Sequence, residues 1–199
     1  MTKKETKEKR IDDILGAAVN VFVEKGYENA TMSDIASRAG ISKGGLYHHF
    51  LSKDMVLLYA NQKLMEPCAG MMLEAKRNPS ITEGLKSYIL NYLEYWADRK
   101  KELIFFSLSM TKAMTHRDIF KLYEKYVEEY ISSFEEFFKK GVDNGEFVPH
   151  NTKGSAVALM SALDGVLIYM ALDKKLGVLE VAKSFEERFI DTVICSKHE

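Results

Sequence analysis

The sequence predicts an all-α fold of about nine helices, in which a short helix-turn-helix unit precedes a larger helical region. Apolar residues recur at i, i+3, i+4 and i+7 through most of the chain, which is the spacing of amphipathic helices. Hardly any segment alternates with period two for long enough to form a strand. We expect the 199 residues to form a first domain over 1–52 and a second over 53–199.

The composition excludes several classes of protein. With 46% hydrophobic residues, 3 Pro and 12 Gly, the chain is neither collagen-like nor disordered. A net charge of −1 excludes a polybasic protein but leaves room for a locally basic face. Cys68 and Cys195 are too few for a disulfide framework, so we expect buried, reduced thiols. The polar N-terminus lacks a signal core and Asp164 breaks the longest apolar run, which predicts a cytoplasmic protein without a membrane span.

Capping and helix-breaking residues set the predicted helix ends. The apolar stripe from Ile11 to Val23 forms the first helix, which Gly26 ends. Thr31, with Asp34 at the third helical position, is a variant capping box that begins the second helix. Pro67 predicts a kink or a break in the fourth helix, and the sequence alone does not decide which. The later helices are expected over 53–77, 82–99, 102–114, 119–143, 152–172 and 179–195.

Residues 35–50 have the pattern of a helix-turn-helix. Ala36 is small where two helices must cross closely, and Gly40 can adopt the left-handed conformation of the turn. Ser42 can cap a short third helix, on which Leu46 faces the core.

The outward face of the third helix departs from ordinary helix composition. Gly44 and Gly45 each cost up to about 1 kcal/mol there relative to Ala, and such a departure often marks close approach by another molecule. No carboxylate occurs from Ser42 to Lys53, so the outward groups are hydrogen-bond donors. Taken singly, Tyr47 or a histidine could be packed, and the glycines could form a loop. Taken as one pattern, these residues suit phosphates and base edges.

Residues 26–57 resemble the DNA-binding segment of the tetracycline-repressor (TetR) family of transcriptional regulators. The resemblance is specific over about the first 58 residues, whereas the remainder matches only in the number, length and character of its helices. The matching residues are Gly26-Tyr27, Ala30-Thr31, Asp34-Ile35-Ala36, Ala39-Gly40-Ile41-Ser42-Lys43-Gly44, Leu46-Tyr47, His49-Phe50 and Lys53.

The resemblance implies that the third helix enters the major groove of DNA. The residues that it places near base edges are Lys43, Gly44, Gly45 and His48. The residues that it places at phosphates are Thr31, Ser42, Tyr47, His49 and Lys53. Gly45 and His48 occupy the more variable positions of the motif and are the candidates for sequence readout. Thr31 and Lys53 also stand at predicted helix N-termini, which attract phosphate, and the basic tail over 3–10 could add contacts.

Methionines and aromatic residues are concentrated after residue 55. A helical core accounts for most of them, and core packing is the simpler explanation for any single one. Between the fourth and seventh helices they could also line an adaptable cavity for a small apolar or aromatic effector. The candidate lining residues are Met71, Met72, Tyr92, Trp96, Phe106, Met110, Tyr123 and Tyr126.

The eighth predicted helix is apolar nearly all round. It is either the buried centre of the monomer, or it packs on its own domain and on a second copy. The resemblance implies a four-helix bundle with the ninth helix across a two-fold axis. The expected interface residues are Leu159, Leu163, Leu167, Phe185, Phe189 and Val193. One short helix reads too few bases, whereas a homodimer reads a palindrome.

The sequence therefore predicts a ligand-responsive DNA-binding regulator, a repressor that a small effector releases from a palindromic operator. The alternative is a small-molecule-binding or protein-interaction helical protein whose helix-turn-helix no longer binds DNA. An enzyme is not expected, because the HExxH, GxSxG, Walker and GxGxxG motifs are absent. A metal or cofactor is not expected either, since His48 and His49 are adjacent and do not share a helix face.

Overall fold

The computed structural model describes residues 3–195, apart from the side chains of residues 3–6, Phe120 and Leu122. Over that range the chain consists of helices and turns, with an isolated bridge in place of any strand, so the predicted all-α class is confirmed. The helices are α1 Lys3–Asn29, α2 Met32–Arg38, α3 Lys43–His49, α4 Lys53–Lys76, α5 Ile81–Ala97, α6 Lys100–Thr115, α7 Arg117–Asp143, α8 Thr152–Leu172 and α9 Val178–Phe185, with a π-helical turn over Glu186–Ile190.

The turns around the first three helices lie where the sequence predicts them. Gly26 kinks α1 with a φ of 73°, and Gly40 follows α2 with a φ of 66°. Glycine is favoured at both positions because L-residues with a side chain rarely adopt this left-handed conformation. Thr31 and Asp34 form the capping box of α2, and Ser42 caps α3. All of these features depend on residues that are close in sequence.

Pro67 lies inside α4 and does not end it, because the helix continues to Lys76. A proline has no N–H, so the Lys63 carbonyl one turn earlier loses its helical donor. Pro67 is also the point at which the chain changes from one compact unit to another. One unit consists of residues 1–66 and 101–124, and the other of residues 67–100 and 125–199. These units are defined by packing, and the predicted domain boundary after residue 52 stays a prediction.

Each unit has its own apolar core. In the first unit, Ile14, Ile35 and Leu46 from the three N-terminal helices are fully buried. The Phe105 ring of α6 joins them, with its centroid 6.1 Å from that of Phe22. The second unit is centred on buried aromatic rings, which belong to Tyr88, Tyr92, Phe134, Phe137, Phe138 and Phe147.

The predicted ninth helix, which was expected to reach Cys195, is too long. α9 ends at Phe185, and the segment after the π-helical turn forms an isolated antiparallel bridge with the loop before α8. The backbone N–H of Val148 in that loop donates to the Val193 carbonyl at 2.8 Å. The Val193 carbonyl and the Cys195 N–H therefore bond to a distant loop, whereas the N–H groups of Val193 and Ile194 bond to Ile190 in the preceding turn.

The two cysteines differ in their surroundings. Cys68 is 1% exposed, and burial raises the pKa of its thiol to about 12, so the predicted buried thiol is confirmed there. Cys195 is free but only partly buried, so the same prediction is wrong for it.

Candidate nucleic-acid interface

A capping box fixes the start of α2. The Asp34 N–H donates to Thr31 Oγ1 at 3.1 Å, and the Thr31 N–H donates to Asp34 Oδ2 at 3.0 Å. Lys25 Nζ donates to the other carboxylate oxygen at 2.6 Å. The Lys25 hydrogen bond is the largest of the contacts that lower the pKa of Asp34 to about 2. Because the Thr31 hydroxyl also donates to Asp34, at 2.8 Å, its proton is already used. The predicted phosphate contact of Thr31 stays a prediction.

The structure of α3 gives a steric reason for glycine at position 45 but none for glycine at position 44. Ser42 Oγ accepts from the Gly45 N–H at 3.0 Å, and a Cβ added at Gly45 would lie 3.3 Å from that oxygen. A Cβ added at Gly44 would have nothing within 4 Å. The fold therefore sets no steric requirement for glycine at position 44, although alanine would be the better helix former.

Positive charge collects around the exposed side of α3. Its exposed side chains are those of Lys43, Tyr47 and His48. His49 is partly buried, and burial is the main cause that lowers its pKa. The charges of His48, Lys7 and Arg10 lower the pKa of His49 further. The basic start of α1 therefore lies near the end of α3. Of the predicted basic tail, the side chains of 3–6 lie outside the described residues.

Lys53 points into the protein rather than away from it. Its ammonium donates to the carbonyl oxygens of Tyr27 at 2.7 Å and Ala30 at 2.9 Å, with Glu28 O at 3.4 Å. It also lies 4.2 Å from the centre of the Tyr27 ring, and burial lowers its pKa. An ammonium has three N–H donors, so these carbonyls use all of them. Lys53 thus holds the last turn of α1 and Ala30, the segment just before α2, and its predicted phosphate contact remains untested.

The predicted cavity residues are divided between the two compact units. Met71, Met72, Tyr92, Trp96 and Tyr126 belong to one unit, and Phe106, Met110 and Tyr123 belong to the other. The fully buried members of the set are Met72, Tyr92, Trp96 and Tyr123. The other four are partly buried. Their shared role in one ligand site stays a prediction.

Sequence reasoning missed a polar cluster inside the second unit. Tyr92 Oη donates to Asp164 Oδ1 at 2.8 Å, and the Tyr88 and Tyr130 hydroxyls lie 3.0 Å apart. Burial raises the pKa of Asp164, against the opposing effect of the Tyr92 hydrogen bond. The single carboxylate within the apolar α8 was the sequence signal that could have located this cluster.

The predicted interface residues of α8 face the interior of the chain. Leu159, Leu163 and Leu167 are 0–2% exposed, so they have no area left to bury against a second copy. Phe185 is also buried, whereas Phe189 and Val193 are partly exposed. The outward apolar side chains of α8 and of the start of α9 are Val157, Ile168, Tyr169, Leu172 and Leu179.

Helix α8 meets the length and composition that a membrane span requires, with a mean hydropathy of 1.8 over its most apolar window. Length and composition alone therefore do not exclude a span, and the expectation of a chain without one stays a prediction. A helix with one face in a core and an apolar outer face also passes such a test, and 33% of the window is buried inside the chain.

Two family models match the chain. One, described as bacterial regulatory proteins of the tetR family, matches residues 14–60 and so includes the capping box and α3. The other, described as the C-terminal region of QacR-like proteins, matches residues 100–189.

Curated relatives extend over most of the chain. The HTH-type transcriptional regulator YfiR of Bacillus subtilis is 26% identical over 196 residues, which are 96% of this chain and 95% of the relative. The HTH-type transcriptional regulator QacR of Staphylococcus aureus is 26% identical over 166 residues, which are 79% of this chain and 84% of QacR.

Solved structures share the fold. The fatty acid degradation regulator FadR from Bacillus halodurans matches with a TM-score of 0.77 and 21% identity, over 88% of this chain and 95% of that one. NalD of Pseudomonas aeruginosa matches with a TM-score of 0.74 and 20% identity, over 95% of this chain and 98% of that one. The capped helix-turn-helix, its basic outer face and these matches lead to one assignment. The chain belongs to the TetR family of transcriptional regulators, which are DNA-binding proteins.

Proposed function

We propose that this protein is a ligand-responsive repressor that binds a palindromic operator as a homodimer and leaves it when a small, largely apolar effector binds. One observation carries the DNA-binding step: α3 has a glycine, Gly44, for which the fold sets no steric requirement, on an exposed surface rich in donors. A side chain at that position would hold a partner's surface away from the backbone. Glycine there lets base edges or phosphates approach the helix.

The side chains around Gly44 suit the two kinds of contact that DNA offers. Lys43 and His48 are exposed donors on the outward face and supply the base readout. Lys7, Arg10 and Tyr47 supply phosphate contacts that position α3 without reading sequence.

The outward apolar face of α8 and α9 is the proposed homodimer surface. Tyr169 and Leu172 are 66% and 76% exposed, and Leu179 is 72% exposed, so α8 and the start of α9 present large apolar side chains that a second copy would cover. A two-fold contact buries the same residues of both copies and sets the distance between their two α3 helices.

Helix α4 is the proposed link between effector and operator. It runs without a break from Lys53, which holds the segment before α2, through Pro67 to the second compact unit. A shift of α4 would therefore move the segment that Lys53 holds. The effector must bind the released state more tightly than the operator-bound state, or it shifts nothing.

The test is selection of bound fragments from the source genome at physiological salt. Lys43→Ala/His48→Ala is the loss variant, and Lys125→Ala, which removes an exposed lysine of α7, is the matched control. We expect one enriched palindrome, kept by the control and lost by the double variant. Its affinity should fall linearly with the logarithm of salt concentration, because phosphate contacts release counterions.

The wild-type protein can fail to retain DNA fragments for two reasons, and a second experimental step distinguishes them. The protein is unfolded, stripped of bound small molecules, refolded and selected again. Recovered binding identifies a co-purified effector, and a small-molecule extract should then reverse it. Continued absence of binding contradicts the repressor and favours a small-molecule-binding or protein-interaction role for the same fold.

A further inference from the structure

Three buried polar side chains meet within the first compact unit. They are Asn61 of α4, Ser109 of α6 and Tyr123 of α7. Asn61 and Ser109 are 0% exposed, and Tyr123 is 2% exposed. Asparagine and serine are seldom buried so completely, and their partners must come from the surrounding protein or from a bound molecule.

The hydrogen bonds inside this polar trio leave two of its polar groups unsatisfied. Ser109 Oγ shares its proton between Asn61 Oδ1 at 2.9 Å and the Phe106 carbonyl at 2.8 Å. Asn61 Nδ2 has no hydrogen-bond partner among the described residues, and Tyr123 Oη has only an interaction with Ser109 that falls short of full hydrogen-bond geometry. Leaving a buried polar group unsatisfied costs roughly 1–3 kcal/mol, so two of them beside one serine form an expensive arrangement for a core.

The trio offers neutral donors. Burial raises the pKa of Tyr123 to about 12, against the smaller opposing effect of a side-chain hydrogen bond with Ser109, so the phenol keeps its proton. The buried ammonium of α6, on Lys112, is already paired with Glu28. An ionised ligand group at the trio would lose its water without gaining an opposite charge, whereas an uncharged oxygen would accept both donors.

We propose that Asn61, Ser109 and Tyr123 form the polar end of the effector site and select molecules that carry an uncharged oxygen acceptor, such as a ketone or ester carbonyl, on an apolar body. Asn61 Nδ2 and Tyr123 Oη donate to that oxygen, while Phe106 and Met110 of α6 contact the apolar body. This inference rests on the proposed effector response and names the chemistry of its ligand.

The position of Asn61 explains how such a ligand would act. Asn61 follows Lys53 by eight residues on the same helix, a distance of about 12 Å at 1.5 Å per residue. A ligand bound to Asn61 therefore contacts the half of α4 that belongs with the helix-turn-helix unit.

The experiment compares three probes that share a benzene ring: acetophenone, benzoate and ethylbenzene. Binding is measured by calorimetry on the full chain, without DNA. Acetophenone should bind most tightly, and Asn61→Leu or Tyr123→Phe should each weaken it about three- to tenfold while changing ethylbenzene binding little. Preference for benzoate, equal binding of acetophenone to the variants, or no binding of acetophenone would overturn the proposal.

A second readout does not depend on the probe. Tyr123→Phe deletes a hydroxyl whose interaction with Ser109 falls short of full hydrogen-bond geometry, so the melting temperature of the ligand-free protein should stay constant or rise. The matched control Tyr88→Phe deletes a hydroxyl that is bonded to Tyr130, and it should lower the melting temperature. Equal destabilisation by both changes would show a structural hydrogen bond at Tyr123 and contradict the ligand role.

Operator binding keeps the two proposals distinguishable. If Asn61→Leu binds the selected palindrome like the wild type but no longer responds to acetophenone, both proposals stand. If the wild type binds acetophenone but no DNA, the repressor fails and the ligand site remains.

Discussion

Lys112 Nζ lies 2.7 Å from His116 Nε2, one turn further along α6. An ammonium can only donate, so Nε2 of His116 is the acceptor of this hydrogen bond. The same ammonium is 4.5 Å from the centre of the Tyr27 ring and pairs with Glu28. Lys53 contacts that ring as well, at 4.2 Å. The segment before α2 is therefore held from α4 and from α6 at once.

Removing the Lys112 ammonium should loosen this segment. In Lys112→Met the buried chain keeps its length but loses the contact with Tyr27, and we expect the free energy of unfolding to fall by about 1 kcal/mol. Operator affinity should fall too, because Thr31 and α2 follow directly after the loosened segment. Chemical denaturation and operator titration measure the two effects.

Lys101→Met is the matched control on the same helix. Lys101 is exposed and donates to Asn20 at 3.0 Å, so its removal should change stability by a few tenths of a kcal/mol. Equal losses of unfolding free energy and operator affinity in both variants would show that the buried contacts of Lys112 do not hold the segment before α2.

Gly44→Ala should separate folding from DNA binding. The added methyl meets nothing within 4 Å, so the helix should gain up to about 1 kcal/mol of stability. Operator affinity should nevertheless decrease, because the methyl occupies the surface that base edges approach. Thermal unfolding and operator titration give the two readouts.

Gly16→Ala provides the comparison for this change. Gly16 lies on the exposed side of α1, and a Cβ there also meets nothing within 4 Å. This variant should gain similar stability and keep its operator affinity. Unchanged affinity in Gly44→Ala would remove the main support for α3 as the DNA-contacting helix.

Local features of the fold could be predicted from the sequence, and distant contacts could not. Gly26, Gly40 and the Thr31 cap act within a few residues, so their spacing alone predicts the turns. The end of α9 depends instead on a bridge to a loop about fifty residues earlier, which the apolar spacing of the last segment does not reveal.

The same distinction between local features and distant contacts applies to the candidate sites. The outward residues of α3 are exposed as the pattern predicts, because a short capped helix has a fixed register. Lys53 turns inward since carbonyls 23 to 26 residues earlier attract it. Leu163 faces inward because a helix that is apolar all round offers no pattern from which to choose its buried side. Asn61 could not be recognised from the sequence, because a single polar residue in a helix is usually taken to be exposed.

The Asp34 carboxylate should make the stability of α2 depend on acid. Its pKa is about 2 when folded and 3.8 without the contacts, so Asp34 stabilises the fold above pH 3.8. That contribution is lost as the pH falls from 3.8 through 2, when the carboxylate takes up a proton in both states. The melting temperature of Asp34→Asn should therefore be lower than that of the wild type at neutral pH, with the difference shrinking over this range. A difference that is constant down to pH 2 would contradict the assigned contacts.

The outward face of α8 should control the oligomeric state, and its inward face should control folding. Tyr169→Lys/Leu172→Glu places charges on two side chains that are 66% and 76% exposed, so each subunit should stay folded while the homodimer dissociates. Leu163→Ala instead opens a cavity at a residue that is 1% exposed, and should cost about 2–5 kcal/mol of stability. Sedimentation and thermal unfolding separate the two outcomes. If the charged variant remains dimeric, the homodimer uses a different surface. In that case the spacing of its α3 helices, and with it the half-site separation of the operator, must be set by other residues.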